Sequence, residues 1–153
     1  MDDTFTFSQR DGKRVVIKAV FPYQGLFHLN VFAKEKTEAG NYPSVLEYMV
    51  HATQTPTSKL GFPKTYAAFD TAGAYLYRPR AYHLKAGQAY SFKIKVPGAI
   101  KVAVIDENGW HYLDNKNQVF SGMVSAKKGE ISLSAKLDPD KNSYATLVEF
   151  QAE

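Results

Sequence analysis

Apolar and polar residues alternate with a period of two along much of this chain. Within 14–21, Val15, Ile17, Ala19 and Phe21 fall on one side, and Arg14 and Lys18 on the other. Within 26–34, Phe27, Leu29, Val31 and Ala33 oppose His28, Asn30 and Lys34. The cleanest case is 89–96, where Tyr90, Phe92, Ile94 and Val96 alternate with Ser91, Lys93 and Lys95. At 130–137 the pattern recurs, with Ile131, Leu133, Ala135 and Leu137 set against Ser132, Ser134 and Lys136. Successive side chains of a strand point to opposite faces, so this alternation predicts sheets with one buried and one wet face, as in antiparallel sandwiches. Further strands are predicted over 4–8, 45–54, 100–105, 110–113, 118–125 and 143–151.

Turn chemistry separates nearly all of these segments: PYQG, EAGNYP, KAGQ, VPGA, DENG, KKGE and DPDKNS. Gly supplies positive φ, Pro presets φ, and Asn or Asp bonds its neighbouring backbone. Short strands at regular spacing with such turns indicate a sandwich or barrel. No segment of ten or more residues carries a helical period, and KTYAAF at 64–69 supports one short helical turn. The chain shows no low-complexity tract, charge block, linker or internal repeat, so a single domain over 1–153 is expected.

Residues 61–80, GFPKTYAAFDTAGAYLYRPR, break the alternation. The expectation is a long aromatic crossover at about 58–85, running between the strands at 45–54 and 89–96 and passing from one sheet to the other. Phe62, Tyr66 and Phe69 are expected to plug the sandwich end, with Pro63 and Pro79 stiffening the path by fixing φ.

Composition narrows the class. A chain of 153 residues, 44% hydrophobic and 22% charged, can bury a core without staples. Ten Tyr and ten Phe suit a pleated surface and favour a β protein. No apolar run approaches the roughly 18 residues needed to span a bilayer. The opening MDDTFTFSQRDGK has no apolar h-region of the kind a secretory signal carries. The absence of cysteine excludes disulfides, thiolate metal sites and a cysteine nucleophile in this chain, and fits a reducing, cytoplasmic setting. The net charge of +4 raises nucleic acid as a partner, but the Lys and Arg residues are scattered along strands and turns. A solvated strand face accounts for them, so neither nucleic acid nor membrane is an expected partner.

Candidate chemistry is sparse. His28, His51, His83 and His111 have no ligand spacing, and His28 and His51 occupy polar strand positions. DENGWH and DPDKN each carry two acids, yet neither matches a calcium loop with its distal Glu, and turn chemistry explains both. No GxSxG elbow and no phosphate loop occurs. Asp106 and Glu107 are neighbours on a strand end and point apart, which makes a poor acid/base pair. No catalytic residue, cofactor or metal is therefore expected. Trp110, with Tyr112 two residues on and on the same face, is a candidate surface for a sugar ring or a protein partner. Tyr75, Tyr77 and Tyr82 are further candidates. The alternative for Trp110 is packing over the sandwich end.

The ordered series FPYQGLFHLNVFAK, YPSVLEYMVHAT, GFPKTYAAF and LKAGQAYSFKIKVPGAIKVAVI, followed by a Trp hairpin, FSGMVSAKKGEISLSAKL and SYATLVEF, resembles one known domain. It is similar to the immunoglobulin-like domain that accompanies the transglutaminase-like core in the kyphoscoliosis peptidase and hillarin family, over about Val15 to Phe150. The resemblance implies an all-β, immunoglobulin-like antiparallel β-sandwich. It also implies an accessory, non-catalytic module of cytoskeleton-associated proteins with a protein partner. The family core carries a Cys, His and Asp constellation; this chain has no Cys, so no catalytic residue carries over to any position here. A carbohydrate-binding module using its surface aromatics is the alternative.

Overall fold

The computed structural model describes residues 5–35 and 37–153. Fourteen strands and one short helix follow one another as β1 (Thr6–Asp11), β2 (Arg14–Ala19), β3 (Gly25–Phe32), β4 (Ser44–Ala52), β5 (Lys64–Thr65), α1 (Ala67–Thr71), β6 (Tyr75–Arg78), β7 (His83–Leu84), β8 (Ala89–Lys95), β9 (Lys101–Asp106), β10 (Gly109–Tyr112), β11 (Asp114–Lys116), β12 (Val119–Ser125), β13 (Gly129–Lys136) and β14 (Ala145–Ala152). The fold is all-β and immunoglobulin-like. The chain divides into two compact units, Met1–Val20 with Leu60–Glu153, and Phe21–Lys59.

The larger unit is the sandwich. One sheet runs β10-β9-β13-β14-β5, with β7 added parallel to β14; the other runs β11-β12-β8-β6. Their inner faces meet where the alternation places large apolar side chains. Phe92, Ile94 and Phe120 from one sheet, and Ile131, Leu133, Val148 and Phe150 from the other, are all at most 1% exposed. Phe92 and Phe150 touch edge to face at 5.6 Å between ring centres, a preferred aromatic geometry. The β13–β14 register shifts between Leu133 and Ser134, where β14 carries Leu147 as an extra residue; Ser134 is buried, with its hydroxyl 3.4 Å from that of Thr146.

Residues 58–85 link the two sandwich sheets as a string of short elements, but they do not start from either one: β4, the strand expected over 45–54, pairs with β3 and belongs to neither sheet. β5 pairs with β14, β6 pairs with β8 in the other sheet, and β7 returns to β14. Between them α1 is one turn long, as the KTYAAF pattern predicts. It stops at Gly73, whose φ of +61° lies in the left-handed region, while Ala74 N–H bonds back to the carbonyl of Phe69. Phe62 and Phe69 are buried at 8% and 1% and both contact Phe7 of β1, at 5.7 and 6.2 Å. Tyr66 departs from expectation. It is 36% exposed and donates its hydroxyl to Glu149, because a polar ring tip is satisfied there and not inside the core.

The N-terminal pair β1–β2 reverses a second expectation. Val15 and Ile17 are 57% and 41% exposed, although they alternate with charged residues. The register sets Phe7 opposite Lys18 and Gln9 opposite Val16. Phe7 and Gln9 are the residues committed to the core, so cross-strand pairing puts Val16 and Lys18 on the inward side. Gln9 does more than fill space. Its amide donates to the carbonyl of Leu76 at 3.1 Å and accepts from the N–H of Leu76 at 2.9 Å. One buried side chain thus substitutes for a neighbouring strand along the edge of β6.

The smaller unit contains β3 and β4, paired antiparallel from Gly25 opposite Ala52 to Phe32 opposite Ser44. Among the described residues no further strand joins this pair. Among those residues, too, no helix is long and apolar enough to cross a membrane.

Two stability measurements test this packing. Phe69→Ala should cost roughly 3–5 kcal/mol in urea unfolding, the range for a fully buried Phe. Gln9→Leu keeps the volume but strands both polar groups of Leu76, and should cost roughly 1–3 kcal/mol. A loss below about 1 kcal/mol for Phe69→Ala would place that ring outside the core.

Candidate functional site

The five aromatic residues singled out by sequence occupy three separate places. Trp110 and Tyr112 lie on the β9–β10 hairpin, whose turn is held by Asp106. Its Oδ1 accepts from the N–H of Asn108 at 2.8 Å, and Gly109 supplies a φ of +122°. His111, on the inward face of β10, brings Nε2 within 3.4 Å of the same oxygen. With His111 inward, Trp110 and Tyr112 are turned outward, at 48% and 58% exposure. Tyr144, just before β14, meets Trp110 edge to face at 4.7 Å, and Trp110 and Tyr112 lie near-parallel at 6.3 Å. Lys101 Nζ sits 5.5 Å from the Tyr112 ring centre. Burial, and secondarily the neighbouring Tyr112, raise the pKa of the Tyr144 hydroxyl. The cluster offers an exposed indole face bordered by hydroxyls.

Tyr75 and Tyr77 belong to β6, on the outer face of the other sheet. Their rings touch edge to face at 4.9 Å, and Lys93 Nζ stands 5.0 Å from the Tyr77 ring centre. A cleft of about 270 Å³ beside Tyr75 is lined by Arg10, Asp11 and Gly12 of the β1–β2 turn, by Gly73, and by Lys95.

Tyr82 is not on the surface: it is 6% exposed, and its ring meets that of His83 edge to face at 5.1 Å. Its hydroxyl lies 3.5 Å from Oε1 of Glu149, a carboxylate that also accepts from Tyr66 and pairs with Lys64 Nζ at 3.5 Å. Glu149 holds the Lys64 pKa above its ordinary value by charge attraction. Its hydrogen bond from Tyr66 raises that phenol as well, because the neutral form is the donor. Three polar residues thus surround one nearly buried carboxylate on the outer side of β14, which explains how the central strand tolerates an acid there.

The histidines do not converge. His28 pairs with Glu47 at 3.3 Å on β3–β4, and His83 lies 3.0 Å from Glu153. Among the described residues no group of three His, Asp or Glu is placed to hold a metal ion.

The feature that alternation alone did not single out is β3–β4. On one face Phe27, Leu29, Val31, Leu46, Tyr48 and Val50 stand together, with Phe21 and Tyr23 against Phe27 at 4.8 and 5.0 Å. On the other, Leu26 and Met49 are 67% and 68% exposed. The unbroken apolar pair Val45-Leu46, followed by Tyr48, Met49 and Val50, was the available signal: a strand with one wet face does not read that way.

Residues 1–64 match the family model for the KY-like, immunoglobulin-like domain. Over 148 residues, 96% of the chain, it is 24% identical to kyphoscoliosis peptidase of Mus musculus and 26% identical to kyphoscoliosis peptidase of Homo sapiens. The chain spans 22% of the length of each of these relatives. The resemblance carried by FPYQG, GFPKTYAAF and VPGA therefore holds across the sandwich as well as the β3–β4 unit.

Trp110 is the single tryptophan, so its environment can be read without interference. Acrylamide should quench its fluorescence readily in the folded chain, and Trp110→Ala should cost no more than about 1–1.5 kcal/mol, the scale of a surface aromatic contact. A core-sized loss would mean that the ring closes the sandwich end.

Proposed function

We propose that this chain, as a relative of the KY-like immunoglobulin-like domains, is a non-catalytic protein-interaction or scaffolding module. In this reading it works in the cytoplasm, as a domain that accompanies a transglutaminase-like core in cytoskeleton-associated proteins. The observation that carries it is the β3–β4 pair. A two-stranded sheet leaves hydrogen-bonding groups open along both edges, and strands of eight and nine residues offer long ones. An added strand would satisfy those groups, and its alternate side chains would cover Leu46 and Tyr48 or Leu26 and Met49. By contrast, the edge strands of the sandwich are two to four residues long, and β6 is occupied by Gln9. Exposed apolar surface of this kind marks an interaction site more often than a solvent face. A cysteine-free chain offers no thiol nucleophile, which accords with a supporting role beside a catalytic core.

A second reading rests on Trp110 with Tyr112 and Tyr144, whose exposed rings suit the face of a sugar. It requires tryptophan fluorescence to respond to a glycan, and a flat response across a glycan array would remove it.

The full chain, immobilised and exposed to an animal cell extract, should retain a cytoskeletal protein. Leu26→Lys with Met49→Lys should reduce that retention by about tenfold or more, since loss of two buried apolar contacts exceeds the 1.4 kcal/mol that a decade requires. Both side chains are largely exposed, so thermal unfolding should be unchanged. Recovery of no protein partner, or equal retention by the variant, would refute the module.

A further inference from the structure

We infer that the outer face of the β11-β12-β8-β6 sheet binds a short, extended acidic segment of a protein partner. Phe92 and Ile94 commit the inner face of β8 to the core, so Ser91, Lys93 and Lys95 are turned outward. Lys93 and Lys95 therefore stand in line, roughly 6–7 Å apart by strand geometry. Register places Lys95 beside Tyr75 and Lys93 beside Arg78, while Lys93 faces Ser121 on the other side. Beyond Tyr75 the line continues into the cleft, where Arg10 joins Lys95. Lys116 on β11 adds a further cation.

The charge on this face is one-sided. Among the described residues Arg10, Arg78, Lys93, Lys95 and Lys116 share this face with Asp11 and Asp114, and among those residues none of the five cations forms an ion pair. The spacing of Lys93 and Lys95 equals that of alternate side chains in an extended strand, so a Glu-x-Glu or Asp-x-Asp segment can meet both ammonium groups. The hydroxyls of Tyr75 and Tyr77 are donors that suit the same carboxylates. Their rings are turned against each other, and Tyr77 is already engaged by Lys93, so they offer no open platform on which bases would stack. Asp114 lies in the row of Lys93, across Ser121, and Asp11 lines the cleft beside Arg10. This assignment shares with the proposed function only the class of partner, and it uses a different surface.

The test uses the full chain and a fluorescein-labelled peptide of alternating Glu and Thr, followed by fluorescence anisotropy. Saturable binding is expected, weakening by roughly tenfold as ionic strength rises from about 0.03 to about 0.3 M, because exposed pairs are screened. The matched Gln/Thr peptide should not bind. Lys93→Glu with Lys95→Glu should weaken the Glu/Thr peptide by about tenfold or more, as two attractions become repulsions. Circular dichroism confirms that this variant folds; should it not, Arg10→Gln with Lys95→Gln is expected to weaken binding about threefold. The Leu26→Lys, Met49→Lys variant should bind the peptide as the unaltered chain does. Equal binding of the two peptides, indifference to the charge changes, or tighter binding of a single-stranded oligonucleotide of equal charge would each overturn the assignment. Intact peptide binding with no protein captured from extract would count against the interaction module and leave this surface standing.

Discussion

Open backbone at sheet edges is the constraint around which this chain is arranged. Alternation disposes of the sheet faces, since Phe92 and Phe150 meet inside while Lys93 and Glu149 stay outside. Edges have no such automatic solution, because each leaves N–H and C=O groups that must bond water, another strand or a side chain. The sandwich answers with edge strands of a few residues, and at β6 with the amide of Gln9 bonded twice to Leu76. The β3–β4 unit answers with neither device. The sandwich edges are thus short or capped, whereas β3 and β4 keep eight and nine residues of open edge.

Much of the sandwich was legible in the sequence, because its signal is the two-residue period of half-buried strands. Strands over 89–96, 118–125, 130–137 and 143–151 appear with displacements of a residue or two, and Ile131, Leu133 and Ala135 are buried as their alternation implies. What failed has a common cause, that alternation fixes two faces but not which one is inward. Val15 and Ile17 look like core residues, yet Phe7 and Gln9, on the partner strand, decide the orientation of the pair. Short strands such as β5 and β7 were hidden because two residues carry no period at all.

Candidate surfaces were legible in the same uneven way. Trp110 and Tyr112 follow a DENG turn that fixes their register, so their common outward face could be read. Tyr82 could not be placed, because the groups it meets, Gly61, Glu149 and Gln151, are distant in sequence. The acid itself looks like an ordinary wet-face residue of β14. Only the crossover, by bringing Tyr66, Lys64 and Tyr82 over it, turns it into a nearly buried charge. The row of Lys93 and Lys95 was visible from the start; its one-sidedness was not, since that depends on Arg10 arriving from the first hairpin.

Gln9 and Leu76 are separated by 67 positions. A ribosome therefore delivers the first hairpin long before it delivers the edge that hairpin will cover. Until Leu76 has emerged, the amide of Gln9 has no native partner, and the ring of Phe7 must wait for Phe62 and Phe69. Closing so long a loop is slow relative to local pairing. In the interval the nascent chain exposes an aromatic ring and an amide built for burial, a vulnerable stretch open to any chaperone that attends the growing chain.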